Sequence, residues 1–110
     1  MTALSTDQEI DGDQTTIRIS GELDLETAPQ LIRLATGAVN RSEMTELVID
    51  LSEVSFMDSA GIGGLLRAHR LCDEHGAELR VRGAPPRLRR ILAITGLATW
   101  FGIPEGDVGR

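Results

Sequence analysis

The middle of the chain passes from a buried-strand pattern to a helical pattern, and this transition constrains the fold more than any other feature. Residues 47–51 form an apolar run typical of a buried strand, and from Ser59 onward apolar residues recur at helical spacing. The continuous apolar triplet at 47–49 predicts a strand that is covered on both faces. We expect a short loop after this strand, and then a helix from Ser59 to about His75 that ends at a left-handed Gly76.

The N-terminal half supplies two further strands and a helix. Residues 1–14 are polar and end in an Asp-Gly-Asp turn, which predicts a short edge strand. Residues 15–20 alternate apolar and polar side chains, as a half-buried strand does. Thr27 followed by Gln30 has the pattern of a capping box, so we expect Thr27 to cap a helix that ends near Asn40.

The C-terminal half repeats the alternation of strand and helix. Residues 79–81 predict another strand, and Pro85-Pro86 predicts the start of a third helix that ends at Gly96. The residues of this helix that are expected to point inward are Leu88, Ile91, Leu92 and Thr95. The apolar residues beyond it, which predict a short last strand or an apolar latch over the core, are Trp100, Phe101 and Ile103. These elements predict an α/β fold with a mixed, mostly parallel sheet of four to five strands and three or four helices.

Length and charge narrow the class of protein. The chain is long enough for one domain, residues 1–110, with frayed ends expected at 1–5 and 104–110. The net charge is −6; residues 1–60 hold twelve acidic residues and three arginines, whereas residues 61–110 hold five and eight. An acidic protein is a poor general binder of nucleic acid, so we expect no such partner. No run resembles a signal peptide or a membrane span, which predicts a cytoplasmic protein without membrane insertion, monomeric when free.

The residues that enzymatic chemistry needs are missing or badly spaced. A serine hydrolase needs a base within hydrogen-bond reach of its serine, but His69 lies roughly 15 Å further along the helix of Ser59. The chain has no lysine, which excludes Schiff-base chemistry and a Walker lysine. His69, Cys72 and His75 diverge by about 60° per step around a helix and cannot converge on one ion. We therefore expect no metal, no cofactor and no catalysis, and a core position for Cys72.

Ser59 lies at a strand-to-helix junction, where two roles are open to its hydroxyl. The first N–H groups of a helix lack intrahelical partners and carry partial positive charge, so an anion is held well there. The hydroxyl can therefore cap the helix or accept a phosphate. Gly61, Gly63 and Gly64 each cost roughly 1 kcal/mol relative to Ala in a helix. They either pack the helix tightly on the sheet or leave its end open to a ligand, of which a nucleotide phosphate is a minor alternative.

Three segments of the sequence carry a family resemblance. They are Gly21-Glu22-Leu23-Asp24, then Leu47-Val48-Ile49-Asp50-Leu51-Ser52 with the following Phe56-Met57-Asp58-Ser59-Ala60-Gly61, and Thr95-Gly96-Leu97. Together these segments resemble the signature of STAS domains, and most closely of bacterial anti-sigma-factor antagonists. The resemblance implies a single small STAS-like domain in which Ser59 is phosphorylated by an anti-sigma factor that is itself a serine kinase.

The same resemblance implies a binding protein with no chemistry of its own. The unphosphorylated form would bind the anti-sigma factor and release a sigma factor, the phosphate would abolish binding, and a serine phosphatase could reset the switch. The residues expected at the partner are Asp24, Asp58, Ser59, Ala60, Gly61, Ile62 and Gly63. The resemblance places the loop of Asp24 beside Ser59, where Asp24 would help to bind the partner or would be repelled from a phosphate. Capping of a helix and simple solubility are the alternative roles for Asp24.

Two other interpretations stay open. The chain could be an accessory STAS subunit of a membrane lipid or anion transport system, or a nucleotide-binding STAS module. The densest basic segment consists of Arg80, Arg82, Arg87, Arg89 and Arg90. We expect these arginines to lie on solvated faces of a strand and a helix rather than to form a partner patch, because charges on amphipathic elements normally face water.

Overall fold

Within residues 4–94 and Gly96, the part of the chain that the computed structural model describes, four strands and three helices follow one another. The strands are β1 (Leu4–Asp11), β2 (Gln14–Leu23), β3 (Glu46–Met57) and β4 (Glu78–Arg82), and the helices are α1 (Ala28–Val39), α2 (Ser59–Glu74) and α3 (Pro86–Ile94). The strands form one sheet in the order β1-β2-β3-β4. The prediction of an α/β domain with a mixed, mostly parallel sheet is confirmed.

β1 and β2 form an antiparallel hairpin with a two-residue turn. Asp11 pairs with Gln14, so Gly12 and Asp13 are the turn residues. Gly12 has a φ of 62°, whereas Asp13 lies outside the positive-φ region. A glycine at the first central position is typical of the type II′ turn, whose twist matches that of the flanking strands. The hairpin makes β1 an edge strand, as the sequence predicts.

The two helical crossovers place α1 and α2 on one face of the sheet. β3 pairs in parallel with β2 on one side and with β4 on the other. α1 connects β2 to β3, and α2 connects β3 to β4. Because such crossovers are right-handed and both step in the same direction along the sheet, their helices share a face. The two helices also approach closely, since a Cβ built on Gly64 of α2 would lie 3.3 Å from the Cβ of Ala28 of α1.

The hydrophobic core lies between this face of the sheet and the helices. The strands contribute alternate side chains, among them Ile17, Ile19, Leu47, Ile49, Leu51, Leu79 and Val81. The helices contribute Leu31 and Ala35 from α1, Leu65 and Ala68 from α2, and Leu88 and Leu92 from α3. The core therefore joins β2, β3, β4 and all three helices, and it holds the carboxyl ends of the strands in place beneath the helix N-termini.

β3 continues to Met57 rather than ending at residue 51 as predicted. Two register shifts relative to β2, one after Asp50 and one after Val54, each insert an extra residue into β3. Such bulges interrupt the period-two alternation of a strand. Residues 52–55 therefore have the sequence of a loop although they belong to β3, in which Glu53 pairs with Ser20 and Val54 with Gly21. β2 also extends beyond its predicted end, to Leu23, because Gly21 is typical of a turn but continues the strand here with a φ of 107°.

The other face of the sheet carries ion pairs between neighbouring strands. Arg18 of β2 pairs with Glu9 of β1 at 2.8 Å, and Arg82 of β4 pairs with Asp50 of β3 at 3.2 Å. Burial raises the pKa of Asp50, but hydrogen bonds from Ser52 and Arg82 outweigh it and hold that pKa below its ordinary value. Asp50 is therefore ionised at neutral pH.

Val48 lies on this charged face, and its burial confirms the prediction that β3 is covered on both faces. Its side chain is buried, with 5% exposed. Its register neighbours are Thr16 of β2 and Arg80 of β4, and Arg80 also forms an ion pair with Glu46 at 3.4 Å. Long arginine side chains commonly shelter apolar surface with their aliphatic stems. Among the described residues, the apolar triplet of β3 thus has one face covered by helices and one face bordered by side chains of the sheet.

The ends of the helices agree with the sequence in most respects. Gly76 and Gly96 have φ values of 73° and 77° and follow α2 and α3, as predicted.

Ile91 of α3 differs from its prediction, because it is 39% exposed although it was expected to point inward with Leu88 and Leu92. On a short helix Leu88 and Leu92, four residues apart, share the core-facing side, which leaves Ile91 at its margin.

The predictions at the chain ends have different outcomes. Leu4 and Ser5, which were expected to be frayed, pair with β2. The expected inward position of Thr95 and the expected strand or latch at Trp100, Phe101 and Ile103 lie outside the described residues. So do the C-terminal residues 104–110.

Candidate functional site

The carboxyl ends of β2 and β3 lie side by side and bring two strand-to-helix junctions together. Leu23 pairs with Met57 at the end of the parallel ladder. The backbone N–H of Asp58 then donates to the carbonyl oxygen of Leu23 at 3.4 Å. Asp24 therefore follows β2 directly beside the point where Asp58 and Ser59 follow β3. This juxtaposition agrees with the loop arrangement that the family resemblance implies.

Asp58, not Ser59, caps helix α2. The carboxylate of Asp58 accepts a hydrogen bond from the N–H of Gly61 at 3.0 Å, and its backbone is extended, as is usual for an N-cap residue. Ser59 is the first residue of the helix, and it is exposed. Of the two roles that the sequence leaves open for the Ser59 hydroxyl, capping is therefore taken by its neighbour.

The polar groups at the start of α2 have few partners. Within residues 4–94 and Gly96, the hydroxyl of Ser59 makes no hydrogen bond, and neither do the backbone N–H groups of Ser59 and Ala60. These N–H groups carry the partial positive charge of the helix N-terminus. The first turn of α2 therefore presents a free hydroxyl beside donors that suit an anion.

The two nearest serines differ from Ser59 because their hydroxyls are engaged. Ser52 donates to the carboxylate of Asp50 at 2.7 Å, and Ser55 donates to the carbonyl oxygen of Gly21 at 3.2 Å. Both are exposed, so exposure alone does not separate the three serines. The hydrogen bonding does, and it singles out Ser59.

The three glycines of the first turns of α2 have different surroundings. A Cβ on Gly61 would lie 2.3 Å from the carbonyl oxygen of Leu23 and 2.8 Å from the Cγ of Met57. Gly61 thus allows α2 to begin against the ends of β2 and β3, and Gly64 allows its approach to α1. A Cβ on Gly63 would meet no atom within 4 Å, and Gly63 is exposed. Packing explains two of the glycines, and only Gly63 leaves an open surface.

Asp24 is occupied within its own loop. Its carboxylate accepts hydrogen bonds from the N–H of Glu26 at 3.0 Å and from the N–H of Thr27 at 3.2 Å. It therefore holds the turn that leads into α1, and it does not cap the helix itself, because α1 has no side-chain cap bond. Asp24 is half-buried, whereas Glu26 is exposed.

Thr27 does not form the predicted capping box. Its hydroxyl donates to the carbonyl oxygen of Glu22 at 2.7 Å and accepts from the N–H of Asp24 at 2.9 Å, and no side-chain cap bond is made to α1. The prediction was wrong because the turn at 24–27 precedes the helix and uses the hydroxyl to tie itself to β2. Thr27 is buried, with 7% exposed.

An apolar groove adjoins the first turn of α2. Its volume is about 210 Å³, and its apolar walls are formed by Val54, Phe56, Met57, Ile62, Leu88 and Ile91. Phe56 is 49% exposed and Ile91 is 39% exposed, and the exposed Arg87 also lines the groove. Phe56 and Met57 belong to the sequence motif, whereas no motif marks Arg87 or Ile91 as functional residues. The sequence did contain a signal for this surface, because the apolar residues of α3 form a wider face than contact with the core requires.

The basic segment divides into separate groups. Arg80 and Arg82 are engaged with Glu46 and Asp50 on the charged face of the sheet. Arg87 lines the groove, and Arg90 is exposed on the same helix. The expectation of solvated strand and helix faces thus fits Arg80, Arg82 and Arg90, whereas Arg87 borders an apolar surface.

Helix α2 carries the remaining candidates for chemistry. Cys72 is 1% exposed, and burial raises the pKa of its thiol to about 11, so the reactive thiolate is scarce at neutral pH. His75 is exposed, and its Nδ1 lies 2.9 Å from the carbonyl oxygen of Leu71. No cluster of His, Cys, Asp or Glu suited to a metal ion occurs among the described residues. None of the helices in that part of the chain is long and apolar enough to cross a membrane.

Comparison with known proteins identifies the family. A family model described as "Mlab, STAS domain" matches residues 6–105, so the chain belongs to the STAS-domain family. It is similar to the anti-sigma-B factor antagonist of Listeria monocytogenes, with 38% identity over 103 residues that cover 92% of this chain and 90% of that protein. The predicted resemblance to STAS domains and anti-sigma-factor antagonists is confirmed.

Two solved structures extend the comparison to the fold. An anti-sigma factor antagonist from Mycobacterium paratuberculosis has a TM-score of 0.74 at 33% identity, covering 94% of this chain and 86% of that chain. The Bacillus cell fate determinant SpoIIAA in its phosphorylated form has a TM-score of 0.72 at 25% identity, covering 87% of each chain. The fold and the family role of these relatives therefore point to regulatory binding.

Proposed function

We propose that this chain is an antagonist of an anti-sigma factor of the serine-kinase type, switched by phosphorylation of Ser59. The unphosphorylated form binds the anti-sigma factor and frees a sigma factor, and the phosphorylated form does not bind. The observation that carries the proposal is the exposed hydroxyl of Ser59, which has no hydrogen-bond partner among the described residues and lies at the N-terminus of α2. The names of the relatives support the role, and one of them is described in a phosphorylated form.

The contact surface on this chain is the Ser59 face, which we define as Ser59, Ala60, Ile62 and Gly63. Ser59, Ile62 and Gly63 lie on one side of the helix at spacings of three and four residues. Gly63 leaves that side flat, so a partner backbone can approach closely. Gly61 is buried and contributes by seating the helix on Leu23.

A phosphate on Ser59 is costly for a bound partner because it adds a large, strongly hydrated group where the surface carries a small, neutral side chain. Asp24 and Asp58 lie at the two junctions, and Glu26 is exposed next to them. A partner that complements this surface must present positive charge there and accommodate a neutral Ser59. Phosphoserine adds about 1.5 to 2 negative charges and a larger group, which demands a different partner surface. The helix N-terminus itself tolerates the anion, so the fold persists while binding is lost.

The first experiment is phosphosite mapping. Incubation of the chain with ATP and its anti-sigma factor kinase is expected to add one phosphoryl group to the intact mass, and peptide mapping is expected to place it on Ser59. A serine phosphatase is expected to remove it and to restore binding. Ser52→Ala and Ser55→Ala are the matched controls and should still be phosphorylated. A phosphate on Ser52 or Ser55 would overturn the assignment.

The second experiment separates the charge from the hydroxyl. Ser59→Ala should bind the anti-sigma factor as the unmodified chain does, whereas Ser59→Asp should bind about tenfold more weakly, a loss of about 1.4 kcal/mol. True phosphoserine should weaken binding further, because it carries more charge than a carboxylate. Calorimetry of the three forms tests this order. Equal affinities would remove the electrostatic switch.

A further inference from the structure

The groove next to Ser59 has the size of a side-chain pocket and not of a ligand site. Its volume of about 210 Å³ lies below the roughly 300 Å³ at which small-molecule pockets begin. Most of its walls are aliphatic or aromatic carbon from β3, α2 and α3. A pocket of this size and composition suits one large apolar side chain of another protein, in the way that interface anchors fill pockets.

The position of the groove links it to the Ser59 face. Ile62 belongs to both surfaces and lies one helical turn from Ser59. Phe56 lies three residues before Ser59 at the end of β3 and is half-exposed. A partner that covers Ser59 therefore reaches Phe56 and Ile62 without a gap, and Ile91 of α3 forms the opposite wall.

The charges around the groove differ from those around Ser59. Arg87 is exposed, lines the groove, and makes no ion pair or hydrogen bond among the described residues. The acidic residues Asp24 and Glu26 follow β2, whereas the groove lies between β3, α2 and α3 on the far side of β3. A complementary surface must therefore be basic opposite the junctions and must carry a carboxylate opposite Arg87.

We infer that this groove is a second half of the docking surface and receives an apolar side chain of the anti-sigma factor, with a carboxylate beside it that pairs with Arg87. The inference rests on the proposed function for the identity of the partner. The mixed charge of the combined surface fixes the orientation of the partner, because a partner turned around would set its carboxylate against the acidic junctions.

Matched pairs of variants on α3 test the groove. Ile91→Ala removes a wall of the groove, and Ile94→Ala removes the same atoms one turn further on, where the residue is 79% exposed and does not line the groove. Calorimetry of the full chain against the anti-sigma factor, without ATP, should show a roughly tenfold loss for Ile91→Ala and no loss for Ile94→Ala. Unfolding curves of both variants establish that each is folded at the temperature of the measurement.

The second pair tests the charge. Arg87→Gln should weaken binding and reduce its salt dependence, whereas Arg90→Gln, on the same helix but outside the groove, should leave both unchanged. Equal affinities for Ile91→Ala and Ile94→Ala would overturn the inference while leaving the proposed function intact, provided that Ser59→Asp still weakens binding. A loss with Ile91→Ala but none with Ser59→Asp would support the groove and overturn the phosphate switch. Absence of any binding by the unmodified chain would overturn both.

Other occupants of the groove give different results. Trp100 is the sole tryptophan of the chain, so its fluorescence reports on residues near it. A shift of Trp100 emission in free Ile91→Ala, with unchanged affinity for the anti-sigma factor, would assign the groove to this chain's own C-terminal segment. A self-association in sedimentation that Ile91→Ala abolishes, again with unchanged affinity, would assign it to a second copy. Either result overturns the inference.

Discussion

The two junctions at the carboxyl end of the sheet are built from the same residue types but use them differently. At the end of β2, the hydroxyl of Thr27 is buried and hydrogen-bonded to Glu22 and to Asp24. At the end of β3, the hydroxyl of Ser59 is exposed and has no partner among the described residues. Each junction also has one aspartate whose carboxylate accepts backbone N–H groups. The carboxylates hold both turns. The first junction also uses its hydroxyl for structural hydrogen bonds, whereas the second does not.

The difference shows how a modifiable side chain can be placed at a helix start without weakening the fold. A serine that caps its own helix would lose the cap when substituted by alanine, and phosphorylation would replace the hydroxyl that makes the cap bond. Here Asp58 makes the cap bond, and Ser59 follows it. The first junction is therefore a structural anchor, and the second combines an anchor with an exposed hydroxyl that makes no hydrogen bond among the described residues.

The largest expected loss of stability comes from a substitution that disturbs the packing of the start of α2 against the end of β2. Gly61→Ala places a Cβ 2.3 Å from the carbonyl oxygen of Leu23, which is backbone and cannot move aside cheaply. Overpacking commonly costs about 1–3 kcal/mol, and the backbone contact puts this case at the upper end, so a net loss of about 2 kcal/mol is expected after the gain in helix propensity. Urea unfolding measures it, and binding of the anti-sigma factor should fall as well. Gly64→Ala, whose Cβ would lie 3.3 Å from a side-chain carbon of Ala28, is the milder control.

The second prediction compares the hydroxyls directly. Thr27→Val removes a buried hydroxyl that serves two backbone groups, and the expected loss is about 1–2 kcal/mol. Ser59→Ala removes an exposed hydroxyl and should change the free energy of unfolding by less than about 0.5 kcal/mol. Asp58→Ala, which removes the cap bond, should cost about 1 kcal/mol. Losses of the same size for Thr27→Val and Ser59→Ala would remove the distinction between the junctions.

The third prediction concerns Gly63 and has a control on the other crossover helix. Gly63→Ala and Gly37→Ala both add a Cβ that meets no atom within 4 Å. Each should stabilise the chain by about 0.5–1 kcal/mol, because glycine is disfavoured inside helices. Only Gly63→Ala should weaken binding of the anti-sigma factor, since Gly63 belongs to the Ser59 face and Gly37 lies in α1. If both variants bind as the unmodified chain does, close approach of a partner at Gly63 is excluded.

The smallest expected effect on stability comes from Asp50, which lies on the charged face of the sheet and outside both junctions. The pKa of Asp50 is lower in the folded chain than its ordinary value of 3.8, so its contribution to stability is present above that value and is lost as the pH falls through the folded pKa. Asp50→Asn should be less stable than the unmodified chain at pH 7, and the difference should shrink below about pH 4. Urea unfolding at the two pH values measures it. A difference that is independent of pH would assign the effect to packing.

The sequence predicted the order and type of the elements because apolar periodicity records which face of each element is buried. The strand from residue 47, the helix from Ser59 and the glycines that follow α2 and α3 all have such local signals. The end of β3 was not predictable from periodicity, because the bulges in β3 move polar residues onto positions that a regular strand would give to apolar ones. The end of β2 was missed because Gly21 has the residue type of a turn but lies within the strand.

The site was predictable in its location but not in its division of roles. The motif places Ser59 at the start of a helix, yet local spacing does not decide whether Asp58 or Ser59 caps it, since both residue types are favoured at that position. Thr27 failed as a capping residue because its hydroxyl is taken by β2, a contact that depends on the path of the turn. The groove depends on α3 lying against β3 and α2, which is a tertiary contact without a sequence motif.

The cap bond of Asp58 also bears on how long the protein survives. Proteases act mainly on transiently opened chains, so turnover in a cell follows the free energy of unfolding. Because the cap of α2 does not involve the Ser59 hydroxyl, a phosphate there should change that free energy by no more than about 1 kcal/mol, in the stabilising direction at a helix N-terminus. The two forms would then be degraded at similar rates. The ratio of phosphorylated to unphosphorylated chain would be set by kinase and phosphatase alone, undistorted by selective loss of either form.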